Sequence, residues 1–194
     1  MQKRNSMKGL QEKYKKEIIP AMIKKHGYKN RMDVPKIRKV VLNIGFGGRV
    51  AGKTPKEREK IAENIAQHLS LIAGQKPILT RSRKSISTFK IRKGMQIGAK
   101  VTLRGKKMYH FVDRLINVAL PRSRDFRGIE TKNVDQGGNL TIGIKEHIIF
   151  PEVSTEKMQN IFGFQVIVET TAETKNQAVV FLKEMGFPIK ISKE

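Results

Sequence analysis

The chain has 194 residues, no cysteine and a formal net charge of +23 at neutral pH. Its length fits a single domain, and its 38% hydrophobic content is enough for a packed core. The lack of cysteine excludes disulfides and thiolate metal sites, and no apolar run approaches the roughly 18 residues of a membrane span. The polar N-terminus has no signal-peptide core, so we expect a cytoplasmic protein. We also expect no contact with a membrane and, because cofactor motifs are missing, no cofactor.

The positive charge is concentrated in the first two-thirds of the chain. Residues 1–63 carry a net charge of +12, residues 64–112 contain 11 basic residues and no acidic one, and residues 113–194 are neutral overall. A block of one sign is typical of a surface that binds phosphate groups. We therefore predict one domain, 1–194, with a strongly basic RNA-facing part at 1–112 and a charge-balanced part at 113–194.

The first half of the chain predicts a helix, a strand and a second helix. Apolar residues at every fourth position predict a helix that ends at Gly27. The run 39–44 predicts a strand. The glycine-rich run 45–48 predicts a tight turn rather than a dinucleotide loop, because the third glycine of that fingerprint is missing. The Thr-Pro pair at 54–55 begins a helix that is predicted to end at Gly74 and to bury Ile61, Ile65, Leu69 and Ile72.

The second half predicts four strands and two helices. The strands are 77–80, 98–103, 140–144 and 164–170. One helix, over 109–120, is predicted to end at Pro121, and the other ends at Gly186. Because helices and strands do not alternate strictly, we predict an α+β fold with helices on one face of a sheet.

The acid-free stretch contains a long basic loop, 80–94, that is rich in Ser, Thr and β-branched residues. It lacks the helical period and the bulky apolar face of a membrane-surface helix, so it favours RNA over lipid. Phe89 is the one aromatic residue in this loop. Whether it packs against the protein stays open, and we expect folded RNA held by backbone contacts rather than splayed bases.

Catalytic chemistry is not indicated. The four histidines lie far apart without metal-binding spacing and are predicted to be surface, helix-edge or core residues: His26, His68, His110 and His147. The acid-free stretch, 64–112, has no carboxylate to hold catalytic metal ions, so we predict a protein that is not an enzyme. An RNA-processing enzyme and a binder driven by charge alone are the alternatives, which specificity for one RNA would separate.

Strand alternation predicts one polar sheet face. Asn43, Lys100 and Thr102 point away from their apolar neighbours and have side chains suited to sugar hydroxyls and phosphates. Ordinary exposure to solvent would explain the three residues equally well.

Long segments, in order, resemble the family of large-subunit ribosomal protein five. The similar segments include VPKIRKVVLNIG at 34–45, LIAGQKP at 71–77, KVTLRG at 100–105 and IIFPE at 148–152. The resemblance extends from about residue 10 to residue 189 and implies a curved, mainly antiparallel sheet with helices packed on one face and a protruding basic loop.

The resemblance also implies a function and partners. Such a protein is a structural constituent of the large ribosomal subunit, attaches 5S rRNA in the central protuberance, contacts P-site tRNA and bridges to a small-subunit head protein during translation. It is a monomer among neighbouring rRNA and proteins of a cytoplasmic ribosome, although an organellar origin stays open. The 5S rRNA contacts that we predict are Lys36, Arg38, Lys39, Asn43, Gln75, Lys100 and Thr102. The tRNA-facing loop residues are Arg81, Arg83, Lys84, Ser85 and Lys90, and the bridge residues, within 125–139, are Arg127, Lys132 and Asp135.

Three residues depart from the pattern of that family. Thr88 stands where the family usually has glycine, Gln96 replaces a usual proline, and His147 replaces a usual glutamine. The first two predict a basic loop whose turn and exit differ from those of the family, and the third adds a titratable group.

Overall fold

The structure, a computed structural model, describes residues 9–124, 126–153 and 161–190. The chain forms two compact units. Unit 1 comprises Met1–Val40, Arg104–Ile142 and Ile167–Glu194, and unit 2 comprises Val41–Leu103 and Gly143–Val166. The predicted boundary at residue 112 separates a basic part of the chain from a charge-balanced part. That this boundary also separates two functional parts of the domain stays a prediction.

The strands follow the predicted order closely. They are β1 (Ile37–Gly45), β2 (Ile78–Arg81), β3 (Gln96–Leu103), β4 (Ile129–Glu130), β5 (Leu140–Ile144), β6 (Phe164–Thr170) and β7 (Ile189–Lys190). Five of them form one mainly antiparallel sheet in the order β2-β3-β1-β6-β5, and β4 pairs with β7 in a parallel ribbon. The α+β prediction is confirmed.

The helices are α1 (10–26), α2 (Gly47–Val50), α3 (Pro55–Ala73), α4 (105–122) and α5 (Lys175–Glu184). Single 3₁₀ turns follow β4 and β5, at Thr131–Asn133 and His147–Ile149. The predicted turn at 45–48 is wrong in part, because its second half is the first turn of α2.

Both long helices of unit 1 contain a π-helical turn and then a proline. In α1 the π turn Tyr14–Ile18 precedes Pro20, and in α4 the π turn Leu115–Ala119 precedes Pro121. Proline in a regular helix removes one backbone hydrogen bond and clashes with the carbonyl four residues earlier. A wider π turn changes the hydrogen-bond spacing at that point. The prediction that Pro121 ends its helix is therefore wrong, because α4 continues to Arg122.

Aromatic packing joins the elements of unit 1. The Tyr14 ring lies 6.4 Å from Tyr109 and 6.1 Å edge-on from Phe181, measured between centroids. Its hydroxyl donates a hydrogen bond to the Pro35 carbonyl at 3.1 Å, and burial raises the pKa of Tyr14 to about 12. The segment that enters β1 is therefore held by the buried core of this unit.

In unit 2, α3 packs on β3. Thr54 and Glu57 form the predicted cap reciprocally, each side chain bonding the backbone N–H of the other, and Gly74 ends the helix with a left-handed φ of 64°. The residues that α3 buries are Ala62, Ile65, Leu69, Ile72 and Ala73, so Ile61, which is half-buried, was wrongly included in the stripe. On β3 the buried residues Ala99, Val101 and Leu103 alternate with polar ones.

Candidate RNA interface

The polar sheet face predicted from strand alternation is present in unit 2. Asn43 on β1 and Lys100 on β3 are exposed, and Thr102 is half-buried, whereas their neighbours Leu42, Ile44, Val101 and Leu103 are buried. Since β1 and β3 are adjacent strands, the structure brings the three residues onto one face, which we call the open sheet face. Within the described residues, the side chains of Asn43 and Lys100 make no hydrogen bond or ion pair.

Gln75 belongs to the same neighbourhood. It follows Gly74 at the end of α3, and its Nε2 donates to the Thr102 carbonyl at 3.4 Å. This long bond joins the helix exit to β3 and leaves the amide oxygen of Gln75 for another donor. Ile78 on β2 is opposite Lys100 in the register and is 67% exposed, so this part of the face is not wholly polar.

The three predicted cations at the start of β1 lie in unit 1. Lys39 Nζ is 2.7 Å from Glu169 Oε2 on β6, and Arg38 Nη1 is 3.6 Å from Glu169 Oε1. Lys36 is exposed, and its backbone N–H donates to Thr171 Oγ1 at 3.0 Å. One carboxylate thus orients two of these cations and neutralises part of their charge.

The predicted basic loop is an ordered extension of β2 and β3, which we call the basic hairpin (residues 81–96). Its strands are joined by reciprocal backbone bonds between Ile86 and Ile91 and by the bond from Ser82 N–H to the Met95 carbonyl. Ser85 Oγ accepts from the Lys93 N–H at 2.9 Å. The hydroxyl of Ser85 therefore takes part in holding the hairpin, whatever else it contacts.

The cations of the basic hairpin are exposed and have no acidic partner. They are Arg81, Arg83, Lys84, Lys90, Arg92 and Lys93, and in the part of the chain that the structure describes none lies within 4 Å of a carboxylate. With no acid anywhere from 64 to 112, their fields add rather than cancel. The hairpin is suited to a polyanion.

The tip of the hairpin is a tight turn at 87–90. Lys90 N–H donates to the Ser87 carbonyl at 2.9 Å, and Lys90, not Thr88, takes the left-handed backbone, with φ of 50°. Thr88 therefore avoids the strain of a left-handed backbone, which favours glycine. Phe89 is 63% exposed, so the open question of whether it packs is answered: it does not.

The predicted bridge region lies in unit 1, and its first residue, Asp125, is outside the described residues. Asp135 accepts from Asn139, at 2.7 Å from the backbone N–H and 3.0 Å from Nδ2, and these bonds lower the pKa of the Asp135 carboxyl. Lys132 Nζ lies 2.6 Å from Glu130 Oε2. Of the three candidates only Arg127 has no such partner among the described residues.

A pair of histidines is one feature that sequence reasoning missed. His147 is fully buried, its ring stacks on Phe162 with centroids 3.8 Å apart, and its Nε2 lies 3.2 Å from His68 Nδ1. The Phe162 N–H donates to His147 Nδ1 at 3.3 Å. This bond assigns the proton of neutral His147 to Nε2, which donates it to His68. Because the two histidines are 79 positions apart in the sequence, no spacing rule indicated the pair.

The described residues contain neither a cluster of three or more metal-ligating side chains nor a helix long and apolar enough to cross a membrane.

Burial lowers the pKa of His147 to about 4, and the facing charges of His68 and Arg49 act in the same direction. Burial also lowers the pKa of His68. His147 is therefore neutral at physiological pH.

Comparison with known proteins identifies two family models along the chain. The model described as "Ribosomal protein L5" matches residues 30–92, and a second model, for the C-terminus of the same ribosomal protein family, matches residues 96–189. The chain is 52% identical over 182 residues to the large ribosomal subunit protein uL5 of Clostridium botulinum (strain Eklund 17B / Type B), covering 94% of this chain and 98% of the relative. It is 51% identical over 179 residues to that of Clostridium tetani, covering 92% and 96%, and 50% identical over 182 residues to that of Thermoanaerobacter sp. (strain X514), covering 94% and 98%.

Proposed function

The chain belongs to the ribosomal protein L5 family and is therefore a structural, non-enzymatic constituent of the large subunit of the cytoplasmic ribosome. From this membership we propose that it binds 5S rRNA with its open sheet face and P-site tRNA with its basic hairpin. The observation that carries the proposal is the open sheet face itself. Asn43 and Lys100 present hydrogen-bonding groups with no protein partner among the described residues, and a polar face of this kind is otherwise left to water.

The chemistry of the open sheet face fits RNA held by its backbone. Asn43 and Gln75 offer both donors and acceptors to ribose hydroxyls, which distinguish RNA from DNA, and Lys100 offers a charge to a phosphate. We also propose 5S rRNA contacts in unit 1, at Lys36, Arg38 and Lys39. Lys39 Nζ lies 2.7 Å from Glu169 Oε2, so a phosphate that binds Lys39 would replace this ion pair with another.

The basic hairpin is the proposed contact for tRNA. Its cations follow an ordered backbone, and the tip turn carries Lys90 beside an exposed Phe89. Cations that are not paired within the protein attract phosphate without first breaking an ion pair. Ser85 contributes by fixing the hairpin.

The proposed bridge to a small-subunit head protein rests on the loop 126–139. Arg127 is exposed and uncommitted among the described residues, whereas Lys132 pairs with Glu130 and Asp135 holds its own turn. We therefore assign the intersubunit contact chiefly to Arg127 within the three predicted residues. Subunit association measured with Arg127→Ala should weaken, and unchanged association would remove this loop from the bridge.

The central experiment compares 5S rRNA with bulk tRNA and DNA at two salt concentrations. A protein with about 6–10 phosphate contacts loses on the order of 10³–10⁵ in affinity between roughly 50 and 200 mM salt, on any polyanion. Specific hydrogen bonds survive that change, so 5S rRNA should keep its advantage at the higher salt. If the three nucleic acids bound equally there, the 5S rRNA proposal would fail.

Two variants assign the surfaces. Asn43→Ala should weaken 5S rRNA binding by about 1–3 kcal/mol if it leaves an RNA group unpaired. The double change Arg83→Gln and Lys84→Gln should leave 5S rRNA binding intact and weaken the hold of the ribosome on P-site tRNA. The opposite pattern would mean that the two ligands had been exchanged.

A further inference from the structure

A shallow cavity of about 580 Å³ lies on the sheet in unit 2, outside every residue proposed above except Asn43. It spans three adjacent strands, β1, β6 and β5. We propose that this cavity, which we call the glycine cleft, holds one nucleotide of the RNA that covers the open sheet face. The residues that the argument uses are Asn43, Gly45, Gly143, Lys145, Gly163 and Gln165. The proposal rests on the proposed function and extends it to a part of the chain without excess charge.

Two glycines of the cleft have no explanation within the protein. Gly143 lies in the middle of β5 and Gly45 at the end of β1, both exposed. Neither has a positive φ, and a Cβ built on either would meet no atom within 4 Å. Glycine costs roughly 0.5–1 kcal/mol relative to alanine inside a strand, and it often marks close approach by a ligand.

Gly163 differs from these two in a way that sharpens the argument. A Cβ on Gly163 would lie 2.7 Å from the Ile144 carbonyl oxygen and 3.0 Å from that of Lys145, so the fold itself requires glycine there. The close approach that explains Gly163 comes from this chain. For Gly45 and Gly143 this chain supplies no such contact, which is consistent with close approach by a ligand.

The polar groups beside the cleft select the kind of ligand. Asn43 and Gln165 are exposed amides, and Lys145 is an exposed ammonium group. Within the described ranges, none of the three side chains has a hydrogen-bond partner or a carboxylate within 4 Å. Amides match the donor and acceptor pattern of a base edge or a ribose hydroxyl, and the ammonium group matches one phosphate. A nucleotide presents all of these groups together with a flat surface for the glycine floor.

This assignment changes the division of labour that we predicted from charge. Gly143, Lys145 and Gln165 belong to the charge-balanced part, 113–194, which was expected to serve protein contacts. The sheet joins β5 and β6 to β1, so RNA lying on β1 and β3 meets them next. Net charge located the RNA-binding face only in part, because amides and bare backbone carry no charge.

The first test is Gly143→Val in the full chain, with 5S rRNA as the probe. Valine favours strands, and a Cβ at Gly143 would meet no protein atom within 4 Å, so the melting temperature should stay equal or rise. The added side chain fills the floor of the cleft, and affinity for 5S rRNA should fall by about tenfold or more, as for one lost hydrogen bond to the RNA. Gly48→Ala is the matched control, because Gly48 is exposed, free of contacts and outside the cleft, and it should bind normally.

The second test is Lys145→Gln, which removes one exposed charge and keeps the fold. It should reduce the slope of log affinity against log salt by about one phosphate contact. If Asn43→Ala weakens binding while Gly143→Val and Lys145→Gln leave affinity and slope unchanged, the glycine cleft is overturned and the proposed function stands. If Asn43→Ala and the cleft variants are all without effect, both fail. Should Gly143→Val not fold, the salt slope of Lys145→Gln decides.

Discussion

Acid should lower the free energy of unfolding of this protein through one buried imidazole, that of His147. Burial lowers the pKa of His147 to about 4, compared with 6.5 for an ordinary histidine. Both ring nitrogens of His147 have partners: Nδ1 accepts from the Phe162 N–H, and Nε2 lies 3.2 Å from His68 Nδ1. A second proton would have to enter at Nδ1, where it would break the bond from Phe162. His68 and Arg49 also oppose the added charge.

The sign and the size follow from proton linkage. Between about pH 6.5 and pH 4 the unfolded chain binds a proton at His147 and the folded chain does not, so the free energy of unfolding falls as the pH falls. The stabilisation is fully present above about pH 6.5. At about 1.4 kcal/mol per pKa unit the limit is about 3 kcal/mol, of which roughly 2 kcal/mol is lost between pH 7 and pH 4.5. Burial lowers the pKa of His68 as well, so the pair acts in one direction.

The assay is urea unfolding of the unmodified chain and of His147→Gln at a series of pH values. Glutamine can accept from the Phe162 N–H and donate to His68 but does not titrate, so the difference in unfolding free energy should shrink by about 2 kcal/mol between pH 7 and pH 4.5. His110→Gln, at an exposed position, controls for the loss of one imidazole. A difference that is the same at both pH values would refute the reasoning.

Three further outcomes are expected. Tyr14→Phe removes the hydrogen bond to the Pro35 carbonyl and should cost about 1 kcal/mol in chemical denaturation, without changing the slope against denaturant. Gly98→Ala would place a Cβ 2.6 Å from Thr80 Oγ1 and should cost about 1–3 kcal/mol, and a cost near zero would mean that the sheet relaxes freely there. Phe89→Ala should leave the melting temperature unchanged, because Phe89 is 63% exposed, while tRNA retention on the ribosome falls; unaltered retention would show that the ring contacts no RNA.

Local rules were sufficient for most elements. β5 and β6 have the predicted bounds, because an alternating run with one buried face is determined by its own residues. Gly27 and Gly74 end their helices in the left-handed conformation that only glycine adopts without strain. Pro121 was predicted to end its helix, but the helix continues to Arg122 after a π turn that local rules did not predict.

The candidate sites were predictable to a different degree. Alternation along β1 and β3 placed Asn43, Lys100 and Thr102 on one face, since each strand carries that information itself. The partners of side chains were not predictable. That Glu169 would hold Lys39, or that His68 would meet His147, depends on which strands and helices become neighbours. The glycine cleft was missed for the same reason, because its residues come from three strands that are distant in sequence.

The backbone of the basic hairpin loses its conformational freedom during folding rather than on meeting RNA. The bonds between Ile86 and Ile91, the Ser85 hydroxyl on the Lys93 N–H and the left-handed Lys90 define its shape in advance. Ordering a flexible residue on binding costs about 1–2 kcal/mol, and this preorganised loop avoids that cost at each position. A cation lost from the hairpin and a hydrogen bond lost from its backbone would thus weaken binding by separate routes, the first through salt dependence and the second through entropy.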